Sequence, residues 1–284
     1  MLQNSSPAGD EMNIASTPDV SIIVVSWNTV KLLRECLVSL HASSTGVLME
    51  IVVVDNASSD DSADMVQREF PGVRLIHNTS NAGFSRASNQ GIVVSTGRYV
   101  LLLNSDTRFL LGALENLILF MEQHPEAGAC GPRLIGPDGK AQAFAFGGDP
   151  TFHYLLWRGL SRLLFHRSLH NWDRDQVQEV DWVSGACLLV RRDIIGRIGL
   201  LDENIFMYFE DNDWCLRMRE GGWKIYHNPH VSIIHIGGKS FSTSMAARLA
   251  YYQSLDYFYS KHYGPLARFL VRVFLVPYRF LMGY

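Results

Sequence analysis

The alternation of short apolar runs with amphipathic segments of helical period constrains this fold more than any other sequence feature. The apolar runs cover residues 20–25, 51–54, 73–76 and 99–103. Between the first two runs, apolar residues recur every three or four positions, at Val30, Leu33, Leu37 and Leu40. Four such alternations in about a hundred residues predict a doubly wound α/β fold, with a mostly parallel sheet and helices on both faces.

Composition narrows the class of protein. Of the 284 residues, 47% are hydrophobic and 19% are charged, which excludes a disordered chain. The net charge is −3 and no block of lysine or arginine occurs, so nucleic-acid binding is not expected. The four cysteines have apolar neighbours and no metal-ligand spacing, and we expect reduced thiols in a cytosolic protein: Cys36, Cys130, Cys187 and Cys215.

The chain divides into three parts by composition. Residues 1–19 are rich in Ser, Pro, Gly, Asn and Asp and lack the features of a signal peptide, which predicts a disordered leader. Residues 20–243 are expected to form one α/β domain, and residues 244–284 a C-terminal helical extension. No run of 18 uncharged apolar residues occurs, which argues against a conventional transmembrane helix.

Polar residues follow each of the four predicted strands. Asp55 and Asp106 emerge from wholly apolar strands, and Ser26, Asn28 and Asn104 lie at corresponding ends. Because ligands of open α/β sheets bind beyond the carboxyl ends of the strands, these residues predict a site for a nucleotide and the metal on its diphosphate. The alternative is that they are ordinary turn and capping residues.

Seven motifs, taken together and in order, carry a resemblance to a known family. They are Val-Val-Ser-Trp-Asn at 24–28, Val-Val-Asp-Asn-Ala-Ser-Ser-Asp at 53–60, Asn-Ala-Gly-Phe-Ser-Arg-Ala-Ser-Asn at 81–89, Leu-Asn-Ser-Asp at 103–106, Val-Ser-Gly-Ala at 183–186, Phe-Glu-Asp-Asn-Asp-Trp at 209–214 and His-Ile-Gly-Gly-Lys-Ser at 235–240. The chain resembles family 2 glycosyltransferases of the GT-A fold, in particular bacterial rhamnosyltransferases that extend lipid-linked polysaccharides.

The resemblance implies a set of donor-binding residues. Three would hold the base and ribose of the donor nucleotide: Ser26, Asn28 and Asp55. Three would face its ribose and diphosphate: Asn81, Gly83 and Arg86. Glycine allows a close backbone approach, and the helix that follows would direct its N-terminal amides at the phosphates. The alternative for Arg86 is a solvated cation on a helix face.

The resemblance also implies a site for Mn²⁺ or Mg²⁺. Asn104-Ser105-Asp106 occupies the place of the family's Asp-x-Asp motif, but Asn104 supplies no charge and would hydrogen-bond ribose or a metal-bound water. Asp106 and His235 would be the protein ligands, and their mixed oxygen and nitrogen donors suit Mn²⁺ and accept Mg²⁺. A histidine near a strand end is otherwise more often structural.

The acidic cluster at 210–213 follows an aromatic run at 206–209. An apolar approach desolvates a carboxylate and raises its basicity toward that of a general base. The resemblance places the base at Asp211, with Glu210 binding the acceptor or orienting the loop. Asp213 fits a simpler interpretation, a carboxylate that favours the helix dipole.

These residues predict an inverting, metal-dependent glycosyltransferase. The resemblance suggests dTDP-L-rhamnose as donor and a lipid-linked glycan as acceptor. Two alternatives remain. A sugar nucleotidyltransferase needs a glycine-rich basic loop after the first strand, which Ser26-Trp27-Asn28-Thr29 does not supply. A catalytically silent carbohydrate-binding or scaffold protein is suggested only by Asn104.

The C-terminal segment 264–284 interleaves apolar residues with Arg268, Arg272 and Arg279. On a helix the three arginines fall within roughly 40° of one another. This pattern predicts a segment that lies along an anionic membrane surface, at the cytoplasmic face of the inner membrane, with Pro277 kinking any continuous helix. The alternative is packing on the catalytic domain or on a second copy in a homo-oligomer.

Overall fold

The computed structural model describes residues 17–43, 46–165, 171–237 and 245–281. Most of the predicted leader, the last three residues of the 235–240 motif, and the side chains from Leu275 onward, Arg279 included, lie outside the described part. The strands are β1 Val20–Ser26, β2 Met49–Asp55, β3 Arg74–His77, β4 Tyr99–Asn104, β5 Thr107–Phe109, β6 Ala127–Ile135, β7 Phe146–Gly147, β8 Gln178–Val180, β9 Trp182–Val183, β10 Cys187–Arg191 and β11 Lys224–His235.

The helices follow the same chain order. They are α1 Val30–Ser43, α2 Ser62–Glu69, α3 Phe84–Val93, α4 Ala113–Gln123, α5 Phe152–Phe165, α6 Arg192–Ile198, α7 Glu210–Glu220, α8 Met245–His262 and α9 Gly264–Leu281. The α/β fold class and the C-terminal helical extension are confirmed. Helix α9 continues through Pro277.

The central sheet begins as predicted and then becomes mixed. Its strand order is β3-β2-β1-β4-β10-β6-β11-β5, with β8 beside β11. The first four strands are parallel, and Ser26 pairs with Asp55 while Val25 pairs with Asn104. Strand β10 runs antiparallel to β4 and β6, whereas β11 is parallel to β6. The carboxyl ends of β1, β2 and β4 therefore meet at one edge of the sheet.

Burial explains why the sequence alternates as it does. Strand β1 is buried along nearly its whole length, so its residues are β-branched and apolar rather than alternating. On α1 the apolar positions Leu33, Leu37 and Leu40 are fully buried. Each such side chain contributes roughly 1.5–3 kcal/mol when removed from water.

The stretch from Val180 to Val190 is apolar enough for one strand, but the chain turns within it and forms two strands, β9 and β10. Residues Trp182–Val183 form a small separate sheet with β7, and the amide of Cys187 then donates to the carbonyl oxygen of Ser184 at 3.2 Å. That turn carries the chain from the small sheet into β10. It also leaves Ser184 and Gly185 facing the cavity described below.

The C-terminal helices pack on the α/β layer through a second apolar cluster. Leu155 of α5, Phe209, Leu255 of α8 and Val271 of α9 are all buried in it. The inner face of α9 is thus packed against the rest of the chain. Within the described part of the chain, no helix is both long and apolar enough to cross a membrane.

Candidate active site

A cavity of about 660 Å³ opens at the carboxyl edge of β1 and β4, beside the start of α7. Six of the residues predicted from the sequence line it: Asn81, Asn104, Asp106, Glu210, Asp211 and His235. The other five lie outside its described lining: Ser26, Asn28, Asp55, Gly83 and Arg86. The structure therefore gathers the predicted metal ligands and the predicted acidic pair around one space.

Asp106 and His235 lie on neighbouring segments, although 129 positions of sequence separate them. The amide of Ile236 donates to the carbonyl oxygen of Asp106 at 2.9 Å, because β11 and β5 are antiparallel neighbours. Oδ1 of Asp106 lies 3.3 Å from Nε2 of His235, and both side chains are largely buried. The amide nitrogen of Asn104 lies 3.4 Å from the same Nε2.

Gln142 fixes the orientation of this histidine, and no motif in the sequence points to it. Its amide nitrogen donates to the carbonyl oxygen of His235, so its Oε1 is left to accept from Nδ1–H of the ring at 2.7 Å. In the neutral ring Nε2 then carries a lone pair directed at the Asp106 carboxylate. Nε2 of His235 and the Asp106 carboxylate would be the two protein ligands of a divalent cation at this position.

This donor set fits a divalent metal that also binds substrate. Within the described residues, no group of three or more His, Cys, Asp or Glu side chains is gathered to hold a metal. One carboxylate and one imidazole leave most of the coordination positions of Mn²⁺ or Mg²⁺ to water or to phosphate oxygens. That division is typical of a metal held jointly by protein and a nucleotide diphosphate.

The acidic pair stands at the end of a strained turn. Tyr208 and Phe209, directly before α7, have φ of 67° and 68°, values that residues other than glycine rarely adopt. Such backbone conformations persist only where the surroundings impose them, and they concentrate at functional sites. Here Phe209 is buried in the second apolar cluster, which holds the turn in place.

Glu210 and Asp211 differ in how their carboxylates are bonded. Asp211 accepts from the amide of Gly185 at 3.0 Å and from the amide of Asn212 at 2.8 Å. Glu210 is 7% exposed, and its Oε2 has no hydrogen-bond partner in the described part of the chain. Burial, together with the charge of Asp211, raises the pKa of Glu210 well above its ordinary value.

Asp211 is the member of the pair that favours the ionised form. Burial raises the pKa of Asp211, while the amides of Gly185 and Asn212 lower it. Hydrogen bonds from these amides favour the ionised form of Asp211 and not of Glu210, so Glu210 keeps its proton to higher pH than Asp211. A raised pKa makes the Asp211 carboxylate more basic, which is consistent with the general base that the sequence predicts there.

Asp213 has an unrelated environment, although it lies in the same turn of helix. Its fully buried carboxylate accepts from Arg217 and is bound by Lys261 at 2.6 Å and His262 at 2.7 Å. These partners lower the pKa of Asp213 despite its burial. Asp213 joins α7 to the end of α8, so its role exceeds the dipole effect expected from the sequence.

We define the strand-end edge as residues 26–29, 55–60, 78–83 and 104–106, and its polar groups mostly bond to one another. The hydroxyl of Ser26 bonds to that of Thr29 at 2.9 Å, and Thr29 bonds to Ser105 at 2.9 Å. Oδ1 of Asn28 accepts from the amide of Ser59 at 2.7 Å. The bonds among Ser26, Thr29 and Ser105 connect the end of β1 to the residue that precedes Asp106.

Asn56 holds the loop after β3 by hydrogen bonds. The sequence did not predict this role, because an asparagine after a strand is typical of an ordinary turn. Its amide nitrogen donates to Oδ1 of Asn81 at 2.9 Å, and its Oδ1 accepts from the amide of Ala82 at 2.9 Å. Gly83 has φ of 83°, and a Cβ there would lie 2.6 Å from the carbonyl oxygen of Phe206. The structure thus explains Gly83 by close approach of the turn that precedes Glu210.

Two of the predicted donor residues have distinct surroundings. Oδ2 of the fully buried Asp55 accepts from the amide of Ser58 and lies 3.1 Å from Nδ1 of His77. Its Oδ1 has no partner among the described residues. Arg86 is largely exposed on α3 and lies 3.6 Å from Glu203. An exposed cation at this place fits both interpretations, and the contact of Arg86 with a donor diphosphate stays a prediction.

The sequence model of glycosyl transferase family 2 matches residues 21–195, which is more than half of the chain. The chain belongs to this family. The match spans the strand-end edge and Asp106, whereas Glu210, Asp211 and His235 follow it in the sequence. The recognition of family 2 from the seven motifs is thereby confirmed.

Relatives extend the similarity beyond the family region. The chain is 28% identical over 270 residues to the N-acetylglucosaminyl-diphospho-decaprenol L-rhamnosyltransferase of Mycobacterium tuberculosis H37Rv, covering 87% of this chain and 86% of that protein. It is 28% identical over 222 residues to the low-salt glycan biosynthesis hexosyltransferase Agl10 of Haloferax volcanii, covering 76% and 67%.

Solved structures support the family 2 fold as GT-A. GalNAc-T7 with UDP, GalNAc and Mn²⁺ matches with a TM-score of 0.62 at 16% identity, covering 86% of this chain and half of that one. The mannosyltransferase PcManGT of Pyrobaculum calidifontis, in complex with GDP-Man and Mn²⁺, matches with a TM-score of 0.55 at 17% identity, covering 95% and 84%. At these identities the likeness establishes the fold alone.

Proposed function

We propose that this family 2 glycosyltransferase is an inverting, metal-dependent enzyme that moves L-rhamnose from dTDP-L-rhamnose to a hydroxyl of a lipid-linked glycan. One observation carries the proposal. The Asp106–His235 pair and the Glu210–Asp211 pair line the same cavity, so a metal-held leaving group and a general base have access to one substrate.

The reaction needs one proton transfer and one displacement. Asp211 accepts the proton of the acceptor hydroxyl, and the oxygen attacks the anomeric carbon as the bond to the nucleotide diphosphate breaks. The departing diphosphate takes the bonding electron pair. Attack from the face opposite the leaving group inverts the anomeric configuration, and no covalent enzyme intermediate is formed.

The remaining residues bind and orient. Asp106 and His235 would hold Mn²⁺ or Mg²⁺, whose positive charge stabilises a leaving diphosphate. Gln142 keeps Nε2 of His235 directed at this position. Asn81 and Asn104 offer amides to the donor from the cavity wall. The carboxyl group of Glu210 binds the acceptor from the cavity wall.

The choice of donor and acceptor rests on the mycobacterial relative. That protein is named for L-rhamnosyl transfer to N-acetylglucosaminyl-diphospho-decaprenol, and it is similar along 87% of this chain. The silent-protein alternative is disfavoured because Asp106, His235 and Asp211 are gathered at one cavity. The nucleotidyltransferase alternative is disfavoured because the β1–α1 loop has no glycine-rich basic segment.

A transfer assay tests the proposal. Purified full-length protein is incubated with dTDP-L-rhamnose, or with UDP and GDP sugars in parallel, and with N-acetylglucosaminyl-diphospho-prenol as acceptor. We expect a disaccharide product with Mn²⁺ or Mg²⁺ and none with EDTA. Transfer of another sugar would correct the donor. Full activity in EDTA would reject metal dependence, and absence of transfer with every donor would favour the silent-protein alternative.

We also propose that α9 contacts an anionic membrane surface on the cytoplasmic side. Leu266, Phe269 and Val273 are exposed along its outer face, at positions that recur every three or four residues. Arg268 and Arg272 both bind Asp256 of α8, so these two arginines of the predicted stripe also hold the helix pair together. The exposed apolar side chains are therefore the stronger support for membrane contact.

Liposome flotation tests this contact without disturbing the packed inner face. Phe269→Ser should lower recovery with anionic liposomes, because an exposed aromatic side chain is lost from the bilayer interface. Val93→Ser, at an exposed position on α3, is the matched control and should float like the unaltered protein. Equal recovery of both variants would reject the membrane proposal for α9.

A further inference from the structure

One wall of the cavity is aromatic, and it lies apart from the polar strand-end edge. Tyr154 and Arg158 of α5, Tyr251 of α8 and Phe274 of α9 contribute to it, together with Phe144. Among the described lining residues, Arg158 is the only lysine or arginine. The proposed reaction leaves this cation without a role, because the donor diphosphate is assigned to Asp106 and His235.

Phe144 indicates that this wall is built for a ligand. It has φ of 63°, a conformation that costs a residue with a β-carbon of order 1 kcal/mol or more. Its ring is 55% exposed, although it contacts Trp172 with ring centroids 5.2 Å apart. A strained residue that presents a large apolar ring to an open cavity is typical of a binding surface.

The guanidinium of Arg158 is positioned between two of these rings. Its central carbon lies 5.9 Å from the ring centroid of Phe144 and 5.9 Å from that of Tyr154. Tyr154 also hydrogen-bonds to it. Aromatic faces fix the orientation of a guanidinium, whose edge N–H groups are the ones that bind phosphate oxygens in a fork.

The position of Arg158 relates it to the acceptor. Phe152 of α5 packs against Phe274 of α9, with ring centroids 6.4 Å apart, and Leu155 and Val271 share the second apolar cluster. The wall that carries Arg158 is thus continuous with the helix whose outer face is apolar. Gln142, two residues before Phe144, bonds instead to His235 on the metal side.

We propose that Arg158, oriented by Phe144 and Tyr154, binds the diphosphate that joins the acceptor glycan to its lipid. This inference rests on the proposed function, because only a lipid-linked acceptor brings a second diphosphate into the cavity. The bidentate geometry of guanidinium and phosphate fixes the acceptor sugar toward Asp211. The donor nucleotide carries the same chemical group, and the assays separate the two sources.

The first test compares two acceptors that differ only in the diphosphate. Both carry N-acetylglucosamine and the same short prenyl chain, joined through diphosphate in one and directly in the other. Arg158→Gln should raise KM for the diphosphate acceptor about 10- to 100-fold, as expected for loss of a charged hydrogen bond. KM for the direct glycoside and for the donor should not change. Arg158→Lys should recover part of the loss, because it restores charge without the fork.

Three results of this comparison would overturn the inference. An equal rise in KM for both acceptors would assign Arg158 a structural role. A rise in KM for the donor would move it to the donor site. Unchanged kinetics would leave it without a binding role. Arg197→Gln, an exposed arginine of α6, is the matched control and should behave like the unaltered enzyme.

The second test requires no turnover. Calorimetry with geranyl diphosphate should detect binding to the unaltered protein and a loss of about 10-fold or more in affinity with Arg158→Gln. If the unaltered protein binds this probe through Arg158 but transfers sugar to neither acceptor, the diphosphate site stands and the proposed transfer fails. If it does not bind the probe, the inference fails whatever the transfer assay gives.

Discussion

Two regions that meet at the cavity differ in how completely their polar side chains are hydrogen-bonded. Along the strand-end edge, most polar side chains bond to other protein groups, as Ser26, Asn28 and Asn81 do, and Oδ1 of Asp55 is the exception among its described residues. In the acidic turn, which we define as residues 206–213, Glu210 keeps a buried oxygen without a partner among the described residues. Two consecutive residues before Glu210 have positive φ, whereas the edge has single residues of that kind at Asn28 and Ala57. A buried carboxylate oxygen without a partner, next to strained backbone, is more common at functional sites than elsewhere.

The region matched by the family model contains one of these two regions and not the other. The family model matches residues 21–195, which include the strand-end edge. The acidic turn and His235 follow that region. The two regions are joined at Gly83 and Phe206, where the amide of Phe84 donates to the carbonyl oxygen of Phe206 at 2.7 Å. The strand-end edge therefore positions the reactive turn directly.

The largest expected effect comes from the acidic turn. Asp211→Asn should lower kcat by roughly 10²- to 10⁴-fold while donor binding stays unchanged, because a general base acts in the transition state. Steady-state kinetics and calorimetry with the nucleotide diphosphate measure the two quantities. Near-normal turnover would exclude Asp211 as the base and direct attention to Glu210.

A second substitution in the same helix should change stability instead. Asp213→Asn leaves Arg217, Lys261 and His262 without their buried counter-charge, at a cost of about 3 kcal/mol in the free energy of unfolding. Because the pKa of Asp213 is lowered in the folded state, its contribution is present above the unfolded pKa and is lost as the pH falls through the folded pKa. Denaturant unfolding at pH 7 and pH 3 measures both effects.

A free energy of unfolding that is lower in Asp213→Asn than in the unaltered protein at pH 7, with a smaller difference at pH 3, would support this account of Asp213. A variant as stable as the unaltered protein at pH 7 would show that the ionic cluster between α7 and α8 contributes nothing. The ion pairs of Asp213 would then be no reason to give it a structural role different from that of Glu210 and Asp211.

The third prediction concerns the metal position at the strand-end edge, which Asp106, His235 and Gln142 form. Asp106→Ala and His235→Ala should each weaken Mn²⁺-dependent binding of nucleotide diphosphate, and Gln142→Ala should weaken it about 10- to 100-fold through the histidine. Calorimetry with and without Mn²⁺ is the measurement. His230→Ala, an exposed histidine on β11, is the control. An unchanged metal response in His235→Ala would mean that this histidine is structural.

The fold was predictable because its signals are local. Four apolar runs and the periodicity of Val30 to Leu40 depend on burial within single elements, and the parallel pairing of β1 with β2 and β4 follows from them. Asp106, His235 and the acidic pair were predictable through the family's motifs. Their gathering at one cavity follows from a shared sheet edge.

Other parts of the site depend on contacts between distant segments. Gln142 bonds to His235 across 93 positions, and its own sequence context carries no motif. Arg158 stands in a stretch without clean periodicity, and only tertiary packing brings it between Phe144 and Tyr154. Gly83 was expected to approach phosphates, whereas its nearest contact is the turn before Glu210. Single residues such as these leave no pattern in a sequence.

The smallest expected effect distinguishes the two regions most directly. Because the pKa of Glu210 is raised in the folded state, the unaltered protein loses stability as the pH rises from the unfolded pKa of glutamate toward the folded one. Glu210→Gln removes this loss and should raise the free energy of unfolding by about 1 kcal/mol at pH 8, with little difference near pH 4. Asp213→Asn changes stability in the opposite direction. Denaturant unfolding at both pH values is the measurement. A destabilised Glu210→Gln protein would mean that the carboxylate of Glu210 has hydrogen-bond partners in the fold. The acidic turn would then be structural, like the strand-end edge.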